Sequence, residues 1–64
     1  MAKYSIISRK RGMRRAYSDG YIYGDLDYAK REAQSKALSG HYTMVKIVDN
    51  ETNEAVEYFT KAHR

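Results

Sequence analysis

Residues 25–40 restrict the fold of this chain most, because they carry the start, the apolar face and the end of a helix. Asp25 is a favoured N-cap residue, whose carboxylate accepts hydrogen bonds from the free N–H groups of the first turn. Asp27 in that turn and Lys36 near the end suit the helix dipole, and Gly40 fits the left-handed position after a helix. The apolar stripe consists of Leu26, Ala29, Ala33 and Ala37. Because this stripe is shallow, we expect the helix to lie close against a sheet.

A first β-hairpin is predicted before the helix. Residues 3–8 and 16–23 form its arms, and Tyr-Ile-Tyr at 21–23 is the short strand of the second arm. Alternation along the first arm puts Ile6 and Ile7 on opposite faces of the sheet. Gly12 and the Ser-Asp-Gly sequence at 18–20 are turn signals, so the connection between the arms, residues 9–15, is expected to be a solvated basic loop.

A second hairpin is predicted after the helix, with arms at 42–49 and 55–61. Asn53 is expected in the left-handed conformation of the tight turn between them. Pairing about that turn places on one face Thr43, Val45, Ile47, Ala55, Glu57, Phe59 and Lys61. We expect Val45, Ile47 and Phe59 to meet the helix. The opposite face would expose the apolar residues Tyr42, Met44, Val48, Val56 and Tyr58, which makes it a candidate protein interface or dimer surface.

The element order is therefore β-β-α-β-β, which predicts an α+β domain with one helix packed on a mostly antiparallel four-stranded sheet. All 64 residues are expected to form a single small domain, with a frayed tail at 62–64. A chain of this length buries only about 60% of the surface that it exposes when unfolded. It has no cysteine, so no disulfide can strengthen it, and a homodimer would add to its stability.

One short segment carries the positive charge of the chain. Five of the seven residues at 9–15, here called the basic segment, are Lys or Arg: Arg9, Lys10, Arg11, Arg14 and Arg15. Residues 1–15 hold six basic residues and no acidic one, whereas 16–64 hold six basic and eight acidic residues. A concentrated positive segment on a mildly acidic body indicates an anionic partner.

Nucleic acid is the first interpretation of the basic segment, since Arg and Lys bind backbone phosphates. Five phosphate contacts on duplex DNA or RNA would give log K against log salt a slope of about −4.5. Tyr17 and Tyr21 are expected to support these contacts by stacking on bases, and Lys3 by its charge. Two alternatives stay open, namely an acidic protein surface as the partner and a solvated hairpin tip without a partner.

Catalysis is not expected from the residues present. Asp25 and Asp27 are explained by helix capping, and the carboxylates around residues 49–54 by turn chemistry. His41 and His63 have no neighbour at metal-ligand spacing, and no phosphate-binding glycine-rich loop appears. The sequence therefore predicts a non-enzymatic protein without a metal or cofactor.

No apolar run approaches the roughly 20 residues of a membrane helix, and no export signal precedes the first strand. A cytoplasmic protein that does not contact membranes is the expectation.

Residues 25–61 combine a short helix with small residues, a strand, an Asn-Glu-Thr-Asn turn and a return strand. This pattern resembles that of many small accessory proteins of bacteriophages and mobile elements. The resemblance implies a non-enzymatic role in the host cytoplasm, either modulating a host enzyme by binding it or handling DNA. It assigns no functional residues.

Overall fold

The computed structural model of the chain describes residues 3–59, and its single helix within that range, α1, spans Leu26–Leu38. The predicted start is confirmed, because the carboxylate of Asp25 accepts a hydrogen bond of 3.0 Å from a backbone N–H of the first turn. The predicted end is confirmed as well, since Gly40 has a φ of 84°. No helix in the described part of the chain is long and apolar enough to cross a membrane.

Four strands form one antiparallel sheet on which α1 packs, mainly against the two central strands. The strands are β1 (Tyr4–Lys10), β2 (Tyr17–Ser18), β3 (Tyr42–Asp49) and β4 (Glu54–Phe59), in the spatial order β2-β1-β3-β4. This confirms the predicted α+β fold. The predictions for residues 60–64, including the frayed tail, lie outside the described residues.

The core lies between α1 and the central strands. Ile6 of β1 and Val45 and Ile47 of β3 are almost completely buried. They meet the helix alanines Ala29, Ala33 and Ala37, and Tyr23 completes the buried cluster. Phe59 packs against this cluster while partly exposed, so the predicted contact of Val45, Ile47 and Phe59 with the helix side is confirmed. Small helix residues let large strand residues fill the space between the layers.

The close approach of α1 to the sheet predicts that a larger side chain at Ala33 is destabilising. Ala33 has no exposed surface, so Ala33→Leu forces the layers apart and is expected to lower the free energy of unfolding by about 1–3 kcal/mol. Gln34→Leu adds a leucine at the next, exposed position and is expected to stay within about 0.5 kcal/mol of wild type. Urea unfolding followed by circular dichroism measures both, and an equal effect of the two changes would contradict this packing.

The second arm of the first hairpin differs from its prediction. Only Tyr17–Ser18 forms a strand, and of the predicted strand at 21–23 only Tyr23 pairs, through two backbone hydrogen bonds of 2.8 Å with Tyr4. The cause is a local turn. Gly20 has a φ of 88°, and the carboxylate of Asp19 accepts a hydrogen bond of 3.0 Å from the backbone N–H of Tyr21. This turn lifts the chain away from β1 between the two paired sites.

Two β-bulges alter the predicted faces of the second hairpin. Thr43 and Val56 are each an extra residue between two paired positions of neighbouring strands. The first bulge turns Tyr42 towards the helix, where it packs against the core, so its predicted place on the exposed face is wrong. The second pairs Ala55 with Val48, which places Ala55 on the face opposite to the one predicted. An extra residue shifts the alternation of all positions beyond it.

Candidate nucleic-acid interface

The basic segment begins in a strand and continues into a turn. Arg9 and Lys10 are the last residues of β1, so only the remaining three basic residues lie in a loop. The N–H of Met13 donates to the carbonyl of Lys10 at 3.0 Å, and Gly12 between them has a φ of 86°. This is the geometry of a type II turn, which requires positive φ at its third residue. The turn predicted near Gly12 is confirmed.

Two arginines of the basic segment donate hydrogen bonds within the protein. The guanidinium of Arg11 donates through Nε and one Nη to the carbonyl of Gly40, at 3.2 and 2.8 Å. Arg9 donates through Nε to the hydroxyl of Thr43 at 3.2 Å. The positive charge of Arg11 thereby lies beside the carboxyl end of α1, where the helix dipole favours a cation. These contacts fix the base of the loop on the sheet.

The other three basic residues of the segment make no such contacts within residues 3–59. Lys10, Arg14 and Arg15 are exposed, and their side chains form no hydrogen bond or ion pair with any residue of 3–59. No ion pair joins any basic-segment residue to a carboxylate in that range. The charge of this segment is therefore exposed to solvent and is not neutralised by a carboxylate of residues 3–59.

Carboxylates gather at the opposite end of the molecule. Asp25 and Asp27 lie at the start of α1, and Asp49 lies at the end of β3, where it pairs with Tyr4. Lys10 is at the other end of β1, six residues away, which is a distance of about 20 Å along the strand. The protein is thus electrically polarised along the direction of β1.

A cleft beside the basic segment, here called the Tyr17 cleft, combines two tyrosines and two lysines. Its volume is about 260 Å³, and its lining includes one carboxylate beside the two lysines: Lys10, Met13, Tyr17, Asp19, Lys36 and Tyr42. Tyr17 is 57% exposed, and the ammonium of Lys36 lies 5.0 Å from the ring centre of Tyr42. The sequence predicted Tyr17 as part of the binding site but not Lys36 or Tyr42. These two residues reach the cleft only through the end of α1 and the bulge at Thr43.

Tyr21 and Lys3 do not join this group. Tyr21 lies beside Tyr23, which pairs with Tyr4, and Lys3 precedes Tyr4 in the chain. Both lie near the amino end of β1, whereas the basic segment begins at its carboxyl end. The structure therefore does not bring these two residues to the predicted phosphate site.

The outer face of the sheet, opposite to α1, holds the remaining residues of the predicted protein interface: Met44, Val48, Val56 and Tyr58. Val56 is 42% exposed and Tyr58 is 61% exposed, while Met44 and Val48 are half-buried. The ammonium of Lys46 lies 5.8 Å from the ring centre of Tyr58. With Arg9 paired opposite Met44, this face mixes apolar, aromatic and cationic side chains.

The remaining titratable groups add little to this site. His41 is exposed, and His63 lies outside the described residues. Within residues 3–59, no group of three or more metal-ligating side chains is present. Burial raises the pKa of Tyr23 above its ordinary value, and its hydroxyl donates to the carboxylate of Asp19 at 2.7 Å. That hydroxyl stays protonated at neutral pH and serves the packing of the first hairpin.

Comparison of the chain with protein-family models, with curated proteins and with solved structures gives no match. The resemblance to small bacteriophage and mobile-element proteins therefore stays a prediction, and any functional proposal depends on the residues described above.

Proposed function

We propose that the chain is a small non-enzymatic protein that binds nucleic acid through its phosphates. The observation that carries this proposal is the group Lys10, Arg14 and Arg15, which is exposed and has no charge partner in the described part of the chain. Cations of this kind gain affinity for nucleic acid by releasing the counterions that phosphates hold. An exposed loop on a rigid sheet can approach a phosphate backbone without any rearrangement of the fold.

The polarity of the molecule supports a defined orientation on the nucleic acid. With Asp25, Asp27 and Asp49 at the far end, the basic segment is attracted to phosphates while the opposite end is repelled. Such a charge distribution accelerates association and orients the protein before contact. Phosphate contacts position a protein but carry no sequence information, so we expect little base specificity.

The Tyr17 cleft favours unpaired bases over a continuous duplex. Tyrosine rings stack on bases of any sequence, and neighbouring cations bind the phosphates of the same strand. Tyr17 offers an exposed ring next to Lys10 and Lys36. A single strand or a duplex with a frayed end is therefore the expected ligand, with Tyr17 as the residue that stacks on its bases.

A second candidate function is supported by the outer face of the sheet. Val56 and Tyr58 are exposed on this face, and aromatic residues of this kind anchor protein interfaces. In this proposal the chain is a modulator of a host protein, of the type that bacteriophages encode. The basic segment would then speed its docking onto an acidic surface.

A pull-down from cell lysate with and without nuclease separates the two proposals. Nucleic-acid binding predicts that the captured material is lost after nuclease treatment and is reduced by Tyr17→Ala. One stoichiometric protein that survives nuclease, and is lost with Tyr58→Ala, would contradict nucleic acid as the partner. Tyr17 and Tyr58 are both exposed tyrosines, so each variant controls for the general loss of a surface ring.

A further inference from the structure

A second aromatic cleft, here called the Tyr21 cleft, lies at the acidic end of the molecule. It is open, has a volume of about 680 Å³ and lies between the chain at 21–25 and the first two turns of α1. Its tyrosines are Tyr21, Tyr23 and Tyr28, and its carboxylates are Asp25 and Glu32. Neither proposal above uses this cleft.

The three rings form a contiguous group with one fixed and two accessible members. Tyr23 is buried, and its ring centre lies 6.4 Å from that of Tyr21 and 5.7 Å from that of Tyr28. Asp19 holds this arrangement, since one carboxylate oxygen accepts the hydroxyl of Tyr23 and the other the N–H of Tyr21. Tyr21 is 69% exposed and Tyr28 is 48% exposed, so the walls of the cleft are open to a ligand.

The charge of the cleft is negative. Glu32 follows Tyr28 by four residues on the same side of α1, and Asp25 lies at the start of the helix. No Lys or Arg of residues 3–59 lines the cleft. The partial positive charge of the helix start is offset by the carboxylates of Asp25 and Asp27.

Elsewhere two tyrosine rings, the half-buried Tyr42 and the exposed Tyr58, lie against cations of the protein itself. Lys36 lies over Tyr42 and Lys46 lies over Tyr58, at 5.0 and 5.8 Å from the ring centres. The rings of Tyr21 and Tyr28 have no such cation in the described part of the chain. Aromatic rings grouped around a cavity with nearby carboxylates attract arginine, lysine and methylated lysine.

We propose that the Tyr21 cleft binds a cationic side chain, arginine or lysine, presented by a partner protein. Charge complementarity selects this occupant, because an acidic aromatic cleft repels phosphates and favours a cation that can stack. The cleft and the basic segment lie at opposite ends of β1, so the protein can hold nucleic acid at one end and a basic protein segment at the other. The site does not depend on the proposed nucleic-acid binding.

Backbone amide NMR spectra of the full chain, titrated with blocked single amino acids, test this proposal. The probes are N-acetyl-arginine methylamide and N-acetyl-lysine methylamide, with the citrulline analogue as the neutral counterpart of arginine. We expect saturable shifts at residues 21–25 and at Tyr28 with the cations, and much smaller shifts with citrulline. Equal shifts with citrulline, or shifts spread over the whole surface, would overturn the assignment.

Variants test which groups of the cleft carry the affinity. Tyr21→Ala and Tyr28→Ala are each expected to weaken binding of the arginine probe about two- to fivefold. Glu32→Gln keeps the shape and removes the charge, so it should weaken binding as well. Leu38→Ala removes an exposed apolar side chain at the other end of α1 and should leave the affinity unchanged. These side chains are exposed, so we expect each variant to fold. The amide signals outside the cleft show whether it does. Unchanged affinity in all three cleft variants would refute the site.

The basic segment of a second copy of the chain is an alternative occupant of the Tyr21 cleft. Its binding there would produce shifts at 21–25 that grow with protein concentration in the absence of any probe. That result would overturn the assignment to a partner protein, whereas concentration-independent spectra support it.

Discussion

Replacing both arginines of the loop is expected to flatten the salt dependence of nucleic-acid binding. If Arg14 and Arg15 each neutralise one duplex phosphate, Arg14→Ala/Arg15→Ala reduces the slope of log K against log salt by about 1.8. The same counterion term lowers the affinity about tenfold to a hundredfold at about 0.1 M salt. Fluorescence anisotropy of a labelled duplex at several salt concentrations measures both quantities.

The matched control is Lys30→Ala/Arg31→Ala, which removes two adjacent positive charges from α1. Lys30 forms an exposed ion pair of 3.5 Å with Glu57, and pairs of this kind contribute little stability. This control should keep a slope close to that of wild type. If both double variants flatten the slope equally, net charge rather than the basic segment determines the binding.

The second large effect is expected from two neighbouring isoleucines that face opposite sides of the sheet. Ile6 is completely buried beneath α1, whereas Ile7 is half-buried on the outer face. Ile6→Ala leaves a cavity in the core and is expected to cost about 2–5 kcal/mol of unfolding free energy. A chain of 64 residues has a total stability of about 3–10 kcal/mol, so this variant will be largely unfolded or have a much lower Tm.

Ile7→Ala makes the same chemical change one residue away and controls for the loss of an isoleucine from β1. We expect it to cost about 1 kcal/mol, because its side chain keeps partial access to water. Thermal and urea unfolding of both variants give the comparison. A cost for Ile7→Ala equal to that for Ile6→Ala would show that the outer face is covered in solution, for example by a second copy of the chain.

The elements that sequence alone predicted correctly depend on local signals. The cap of Asp25, the alanine spacing of the helix and the Gly40 end all act within a few residues. Asn53 is a further example, since its φ of 62° is the left-handed conformation expected for that turn. The opposite placement of Ile6 and Ile7 follows from the alternation of a single strand.

The errors occurred where a distant partner or a competing local bond determines the structure. Asp19 and Gly20 form a turn that removes residues 20–22 from the sheet, although the sequence there is rich in β-forming residues. Tyr42 faces the core because of a bulge opposite β1, and no signal within β3 reveals this. The same limit applies to the site. The basic segment was visible in the sequence, whereas the Tyr17 cleft depends on the meeting of β1, β2 and the end of α1.

The salt dependence of nucleic-acid binding by the wild-type protein tests the central claim most directly. With Lys10, Arg14 and Arg15 as the free cations, log K against log salt should have a slope of about −2.1 for a single strand and about −2.7 for a duplex. Arg9 and Arg11 can move the duplex slope towards about −4.5 if all five residues reach phosphates. A slope near zero, or no binding at low salt, would show that the exposed positive end of this protein does not bind phosphates.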